Sequence, residues 1–258
     1  MRTGLAIVVF LAAMPHAPSG AQETVSLRIT TSSDVVQNAP VVFRYSLSNR
    51  SSRELVANLG YDRIGAFVFE VVGPDGVKQR VRPFIRPKDH AARLATLKLP
   101  PLAEYEQMVV LSEWLSFKQV GVYSLTVDAT NVSLGAAGTQ RVSIEVENAR
   151  QRIQVRPRDI QYLRSRCDEL AQALISTKVF DERFTALVDE LAWHRDPIAV
   201  ACHERVLQAE VSSVFFEALI AIGTTEARDA LVRLSSHPRD WVALNAKSAL
   251  AQLKIKVP

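Results

Sequence analysis

The sequence predicts an all-β module followed by an all-α module: an antiparallel β-sandwich over residues 22–148 and a short α-solenoid over residues 159–258. Three observations carry that prediction. Apolar residues recur at every second position in short runs between Val25 and Val146, the period of a strand with one buried face. From Ile160 onward they recur at alternating steps of three and four, the period of a helix. Within the second half, five apolar columns repeat at a step of 31 residues. Such a repeat marks helical units that bury their faces only by stacking.

Ahead of both modules lie a positive residue, Arg2, an apolar run from Gly4 to Met14, and a small-residue stretch ending Ser19-Gly20-Ala21. This is the layout of a secretory signal peptide over residues 1–21, with cleavage expected after Ala21. A retained anchor needs about 20 apolar residues, and this run has about 11. No later stretch reaches spanning length, so the expected product is soluble, in the periplasm or secreted. The net charge of +4, from 31 Lys and Arg against 27 Asp and Glu, falls to +3 without Arg2. A surface so mixed in sign does not call for nucleic acid as a partner.

In the β module the alternating runs are Val25, Leu27, Ile29; Val41, Phe43, Tyr45, Leu47; Phe67, Phe69, Val71; Tyr123, Leu125, Val127; and Val142, Ile144, Val146. The breaks carry turn residues: Asn38-Ala39-Pro40, Asn49-Arg50-Ser51 and Gly73-Pro74-Asp75-Gly76, where Pro presets φ and Gly accepts positive φ. Seven to nine strands are expected. The segment Gly121-Val122-Tyr123-Ser124-Leu125-Thr126-Val127 resembles the Gly-x-Tyr-x-Cys-x-Val signature of immunoglobulin-like (Ig-like) domains. That resemblance implies a tyrosine corner at Tyr123. Leu125 stands where the signature has Cys, and the module has no cysteine, so packing alone must hold its sheets together. Trp114 and Phe117 are expected in the core.

Residues 149–158, with Arg150, Arg152, Arg156, Pro157 and Arg158, read as a charged linker. After it, Ile160, Leu163, Cys167, Leu170 and Leu174 form one stripe of a first helix. Further helices are expected after Asp181, after Asp196 with Pro197 as first helical residue, near Glu210, after Thr224 and after Pro238. The repeat aligns Phe184 with Phe215 and Ala246, Val188 with Leu219 and Leu250, and Leu191 with Ile222 and Leu253. The run from Ala218 to Leu231 resembles the core of HEAT-like repeats, including those first described in phycobilin lyases. The resemblance spans residues 180–253 and departs at Trp193-His194-Arg195, where a Gly-Thr pair is expected. It implies a binding scaffold; lyase chemistry does not carry over, because no chromophore-handling residue is identifiable.

Chemistry-bearing residues are sparse. Cys167, His194, Cys202 and His203 are the candidate metal ligands, but adjacent Cys202 and His203 diverge by about 100° on one helix, so neither a metal nor a cofactor is expected. No nucleophile elbow, zinc-protease or phosphate-loop motif occurs, so no catalytic residue is named. His90 and His237 sit in polar turns, and Asp168-Glu169 and Asp189-Glu190 are expected on solvated helix faces. The arginines at 150, 152, 156, 158, 164 and 166 suit an anionic ligand, yet acids interleave them and no aromatic flanks them. Cys167 and Cys202 lie on apolar stripes of helices expected to be neighbours; in an exported protein they form a disulfide or remain two buried thiols. The expected function is a non-catalytic protein–protein interaction scaffold. Its contacts are expected on the second helices of the repeats, at Glu204, Arg205, Arg228, Val232 and Arg233. The alternatives are a proteinase-inhibitor or envelope-adhesion module acting through the loop from Arg80 to Ala92, and an accessory subunit of an exported enzyme system.

Overall fold

The computed structural model describes residues 24–83, 95–136, 143–177 and 182–256. The signal segment and most of the loop from Arg80 to Ala92 lie outside the described residues, as do His90, Val142 and Phe180. Twelve strands are described: β1 (Thr24–Thr31), β2 (Asp34–Val36), β3 (Val42–Asn49), β4 (Leu55–Asn58), β5 (Val68–Val72), β6 (Lys78–Val81), β7 (Thr96–Leu99), β8 (Glu104–Val110), β9 (Gly121–Asp128), β10 (Ser133–Ala136), β11 (Ser143–Glu147) and β12 (Arg150–Arg156). The surplus over the expected seven to nine lies in strands of three or four residues such as β2, β4, β7 and β10, too short for alternation to register.

The sheets run β11-β1-β3-β8, β2-β12-β9-β5-β6 and, shorter, β10-β4-β7. The two larger sheets, with β1–β11 and β2–β12 paired in parallel and their other neighbours antiparallel, make an Ig-like sandwich. Between them sits an aromatic knot. The Phe43 and Phe69 rings meet edge-on at 4.9 Å and the Tyr45 and Phe67 rings lie 5.0 Å apart. The buried Tyr45 hydroxyl donates to the Arg63 carbonyl at 2.6 Å, so the knot leaves no polar group stranded.

The tyrosine corner forms as the resemblance implies. Tyr123 is buried; its hydroxyl accepts from the Gln119 amide at 3.0 Å and donates to the Gln119 carbonyl at 3.1 Å. Leu125, in the cysteine position, is 1% exposed and packs in its place. Gly121 has φ +140, and a Cβ there would lie 2.7 Å from Pro74 Cγ, so this position admits only glycine without strain. The Gly73–Gly76 turn closes the β5–β6 hairpin, with the Gly73 amide donating to the Val77 carbonyl at 2.9 Å.

The stretch expected to be a linker is a correction. Arg150–Arg156 is β12, paired antiparallel with β9 and parallel with β2. Its arginines face out while Ile153 and Val155 are buried, so the sandwich runs to Arg156 and the connection to the helices is residues 157–159.

Six helices are described after it: α1 (Ile160–Ser176), α2 (Glu182–Ala192), α3 (Val200–Gln208), α4 (Val214–Ile222), α5 (Thr225–Leu234) and α6 (Asp240–Lys256). Helix α3 packs on α1 and α5, and α4 packs on α2 and α6, while α1 also touches α2, α3 touches α4, α4 touches α5 and α5 touches α6. The odd and even helices thus lie in two layers. The repeated apolar columns meet between them: Phe184, Phe215 and Ala246 are all buried, as are Leu191 and Leu253. A ring as fully buried as Phe215 stabilises by about 2–3 kcal/mol. Caps fall where expected at Asp196, which accepts from the Ile198 amide, and at Thr224, which accepts from Ala227; Asp159 also caps, accepting from the Tyr162 amide, and Gly223 takes φ +65. Three details differ. Ile160 is 46% exposed. Glu210, with φ +59, terminates α3, so α4 begins at Val214 rather than near Glu210. The helices α2 and α4 span 11 and 9 residues, where the repeat predicts a first helix of about 14 in each copy.

Candidate functional site between the two modules

Asp-Pro is a helix start, because an extended Asp side chain reaches back to the first free amides and Pro needs no hydrogen bond there. Asp196 does this for the turn leading into α3, accepting from the Ile198 amide at 3.0 Å. The same carboxylate reaches two further partners. Arg158, from the connection after β12, grips it at both oxygens, Nε to Oδ2 at 2.7 Å and Nη2 to Oδ1 at 2.8 Å. Asn38, held at φ +73 in the turn between β2 and β3, donates its amide to Oδ2 at 2.9 Å. The Asp196 side chain is wholly buried and that of Arg158 is 40% exposed. Burial opposes ionisation of Asp196, but the bonds from Arg158, Ile198 and Asn38 and the Arg158 charge outweigh it and hold the carboxyl at about 2.

Around this clasp the modules touch along a broader seam. Helix α2 lies against β8, covering what is otherwise an open edge of the four-stranded sheet. The Arg195 guanidinium sits 3.5 Å over the Trp193 ring, within the fields of Glu113 of the sandwich and Glu217 of α4. Arg195, at the place where the sequence departs from the HEAT-like pattern, therefore lies within the field of a sandwich carboxylate.

Beside the clasp opens a cleft of about 300 Å³ with one wall from each module. Asp34, Pro40 and Arg44 line it from the sandwich, and Tyr162, Ser165 and Arg166 from α1. Arg166 binds Glu190 of α2 through Nε and Nη2 at 3.0 and 2.6 Å. Glu190, expected on a solvated face, is 7% exposed, a correction with a plain cause: its charge is matched by Arg166. Arg44 pairs with Glu106 at 3.3 Å. Tyr162, 42% exposed, is the aromatic group of the cleft wall.

The residues expected to contact a partner lie elsewhere, on α3 and α5. Glu204 and Arg233 bind each other through two bonds of 2.7 Å, and Arg205 binds Asp168 of α1 at 3.0 Å. These three therefore join α1, α3 and α5 to one another. Arg228 and Val232 remain exposed on α5. Cys167 and Cys202 form a disulfide between α1 and α3, with Cα atoms 6.1 Å apart. His194 and His203 are both buried; His203 Nε2 donates to the His194 carbonyl at 3.0 Å and its ring stacks on Phe215 at 5.5 Å. Desolvation pushes both imidazoles down, His203 to about 4. Among the described residues no group of three His, Cys, Asp or Glu side chains could hold a metal ion, and no helix is long and apolar enough to cross a membrane.

No protein-family model matches the chain, and no curated protein matches it. Solved structures similar to parts of it include the CARDB domain of the PF1109 protein from Pyrococcus furiosus, at 14% identity and TM-score 0.27, covering 51% of this chain and 87% of that one. The alkylpurine DNA glycosylase AlkC of Pseudomonas fluorescens follows at 10% identity and TM-score 0.24, covering 54% and 32%. A β-glucosidase from Listeria innocua has 10% identity and TM-score 0.25, covering 48% and 16%. Likenesses this slight carry no argument about what the chain does.

Proposed function

We propose that the chain is a non-catalytic, exported binding scaffold, in which an Ig-like sandwich and a short HEAT-like helical stack are clasped at a fixed angle to receive a segment of a partner protein. One observation carries this reading: Tyr162, Arg44 and Arg166 converge on a cleft whose walls come from both modules. Tyr and Arg dominate binding energy at protein interfaces, and clefts between modules are favoured binding sites. The α3–α5 face is a weaker candidate, because no aromatic side chain stands among Glu204, Arg205, Arg228, Val232 and Arg233. Partner capture by the intact protein tests the proposal. Tyr162→Ala should weaken it at least tenfold, and Val232→Asp on α5 should leave it unchanged. The reverse pattern would move the site to the α3–α5 face, and turnover of a substrate by the purified chain would overturn the non-catalytic reading.

A further inference from the structure

Alternation along β12 sends Arg150, Arg152, Gln154 and Arg156 to the outer face of the five-stranded sheet, and register places other cations opposite them. One row across the sheet reads Arg150, Thr126, Glu70, Arg80. The next reads Arg152, Ser124, Val72, Lys78. At about 4.8 Å between strands and about 3.4 Å per residue, the four cations stand at the corners of a flat patch roughly 14 Å by 7 Å. Glu70 is the carboxylate inside it, paired with Lys78 at 2.8 Å. Arg156 extends one column, paired with Asp34, and Arg82 extends the other, with Asp128 in the field of Arg80 and Arg82. Six cations thus face three carboxylates, so this one face holds most of the chain's net charge of +4. Arg150 and Arg152 are exposed and have no ion pair among the described residues.

One end of the face is apolar. Val122 lies on it at 48% exposure, and Val120, just before it in the chain, is 45% exposed, at the end where the Gly73–Gly76 turn meets Gly121. A soluble linear polyanion would meet one cation column and gain nothing from the valines. Nucleic acid normally adds stacking aromatics, and the outward residues of these strands include none. A plane of anionic headgroups engages both columns together, and its acyl boundary accepts the valines.

We propose that the outer face of the five-stranded sheet is a docking surface for an anionic lipid bilayer. It is independent of the cleft reading. The test is co-sedimentation of the full chain with vesicles of phosphatidylcholine alone or with 30% phosphatidylglycerol. The apolar segment from Gly4 to Met14 is common to every variant, so differences between variants report the face alone. Binding should need the anionic lipid and weaken with salt, and Arg80→Glu/Arg150→Glu/Arg152→Glu should lower it at least tenfold, since each cation near such a surface contributes about a fivefold factor. Val120→Ser/Val122→Ser should lower vesicle binding severalfold while leaving binding to soluble dextran sulfate unchanged. All five side chains are exposed, and unaltered thermal unfolding checks that the variants fold. Equal binding to phosphatidylcholine alone, or anionic-vesicle binding indifferent to the triple substitution, overturns the proposal; indifference to the valine pair overturns the bilayer as occupant in favour of a soluble polyanion.

Discussion

Asp196 and Arg158, 38 residues apart, form a two-point ion pair of 2.7 and 2.8 Å that ties the start of α3 to the end of the sandwich. Removing one partner of a buried pair leaves the other charge uncompensated, which costs about 3–5 kcal/mol when both are dry. Arg158 is 40% exposed, so water replaces part of what it supplies, and Arg158→Ala is expected to lower stability in urea denaturation by less than loss of a fully buried partner would. The pair also has a pH signature. The Asp196 carboxyl sits at about 2 against an ordinary 3.8; the stability it contributes is fully present above about pH 4 and is lost as pH falls toward 2. Wild type and Asp196→Asn should therefore differ by about 2 kcal/mol at pH 6 and converge near pH 2. A constant gap would show that Asp196 acts through its hydrogen-bond acceptors and not its charge.

The histidines titrate in a different window. His203 sits at about 4 in the fold against 6.5 outside it, because burial disfavours the imidazolium. Its folded pKa is depressed, so the unfolded chain takes up a proton below about pH 6.5 while the folded chain does not until about pH 4. Stability should then fall by about 3 kcal/mol as pH drops from 7 to 4, with His194 adding in the same direction. Substituting His203→Gln should flatten that slope, even though losing the stack on Phe215 lowers stability at pH 7. An unchanged slope would place the proton uptake elsewhere.

Local chemistry was legible where it acts over a few residues. The alternation of β3 and β9, the Gly73–Gly76 turn, the Tyr123 corner and the caps at Asp196 and Thr224 all depend on near neighbours. Glu190 carried no such signal, because Arg166, the partner that lets it be buried, is 24 positions away. In β12 the alternation was present, but arginine at every outward position resembles a solvated connector; a strand facing water tolerates charge at each of those places. Trp193-His194-Arg195 showed itself only as a departure from a repeat. At that departure Arg195 stands within the field of Glu113 of the sandwich.

The Cys167–Cys202 disulfide joins α1 to α3 across 35 residues. In the chain-entropy view a loop of that length stabilises by about 3–4 kcal/mol. Alkylation of the unreduced, denatured chain should modify no cysteine, and alkylation after reduction should modify two. Cys167→Ala/Cys202→Ala should lower the melting transition followed by helical circular dichroism. Two alkylatable thiols before reduction would mean that the helices are held by packing and the Asp168–Arg205 and Glu204–Arg233 pairs alone.

The tyrosine corner separates packing from hydrogen bonding within one side chain. Tyr123→Phe keeps the ring against Phe117, whose centroid lies 5.2 Å away, and removes only the hydroxyl that serves both the amide and the carbonyl of Gln119. An amide left without a partner in a part-buried position costs about 1–2 kcal/mol, so the phenylalanine variant should lose that much in urea denaturation with an unchanged denaturant slope. Tyr123→Ala deletes the ring as well, and should lose about 3–5 kcal/mol in total. If the phenylalanine variant is as stable as wild type, the hydroxyl is replaceable by water and the ring alone closes this end of the sandwich. If instead it loses as much as the alanine variant, the corner itself is what holds residues 119–121 in place for Gly121 to pass Pro74.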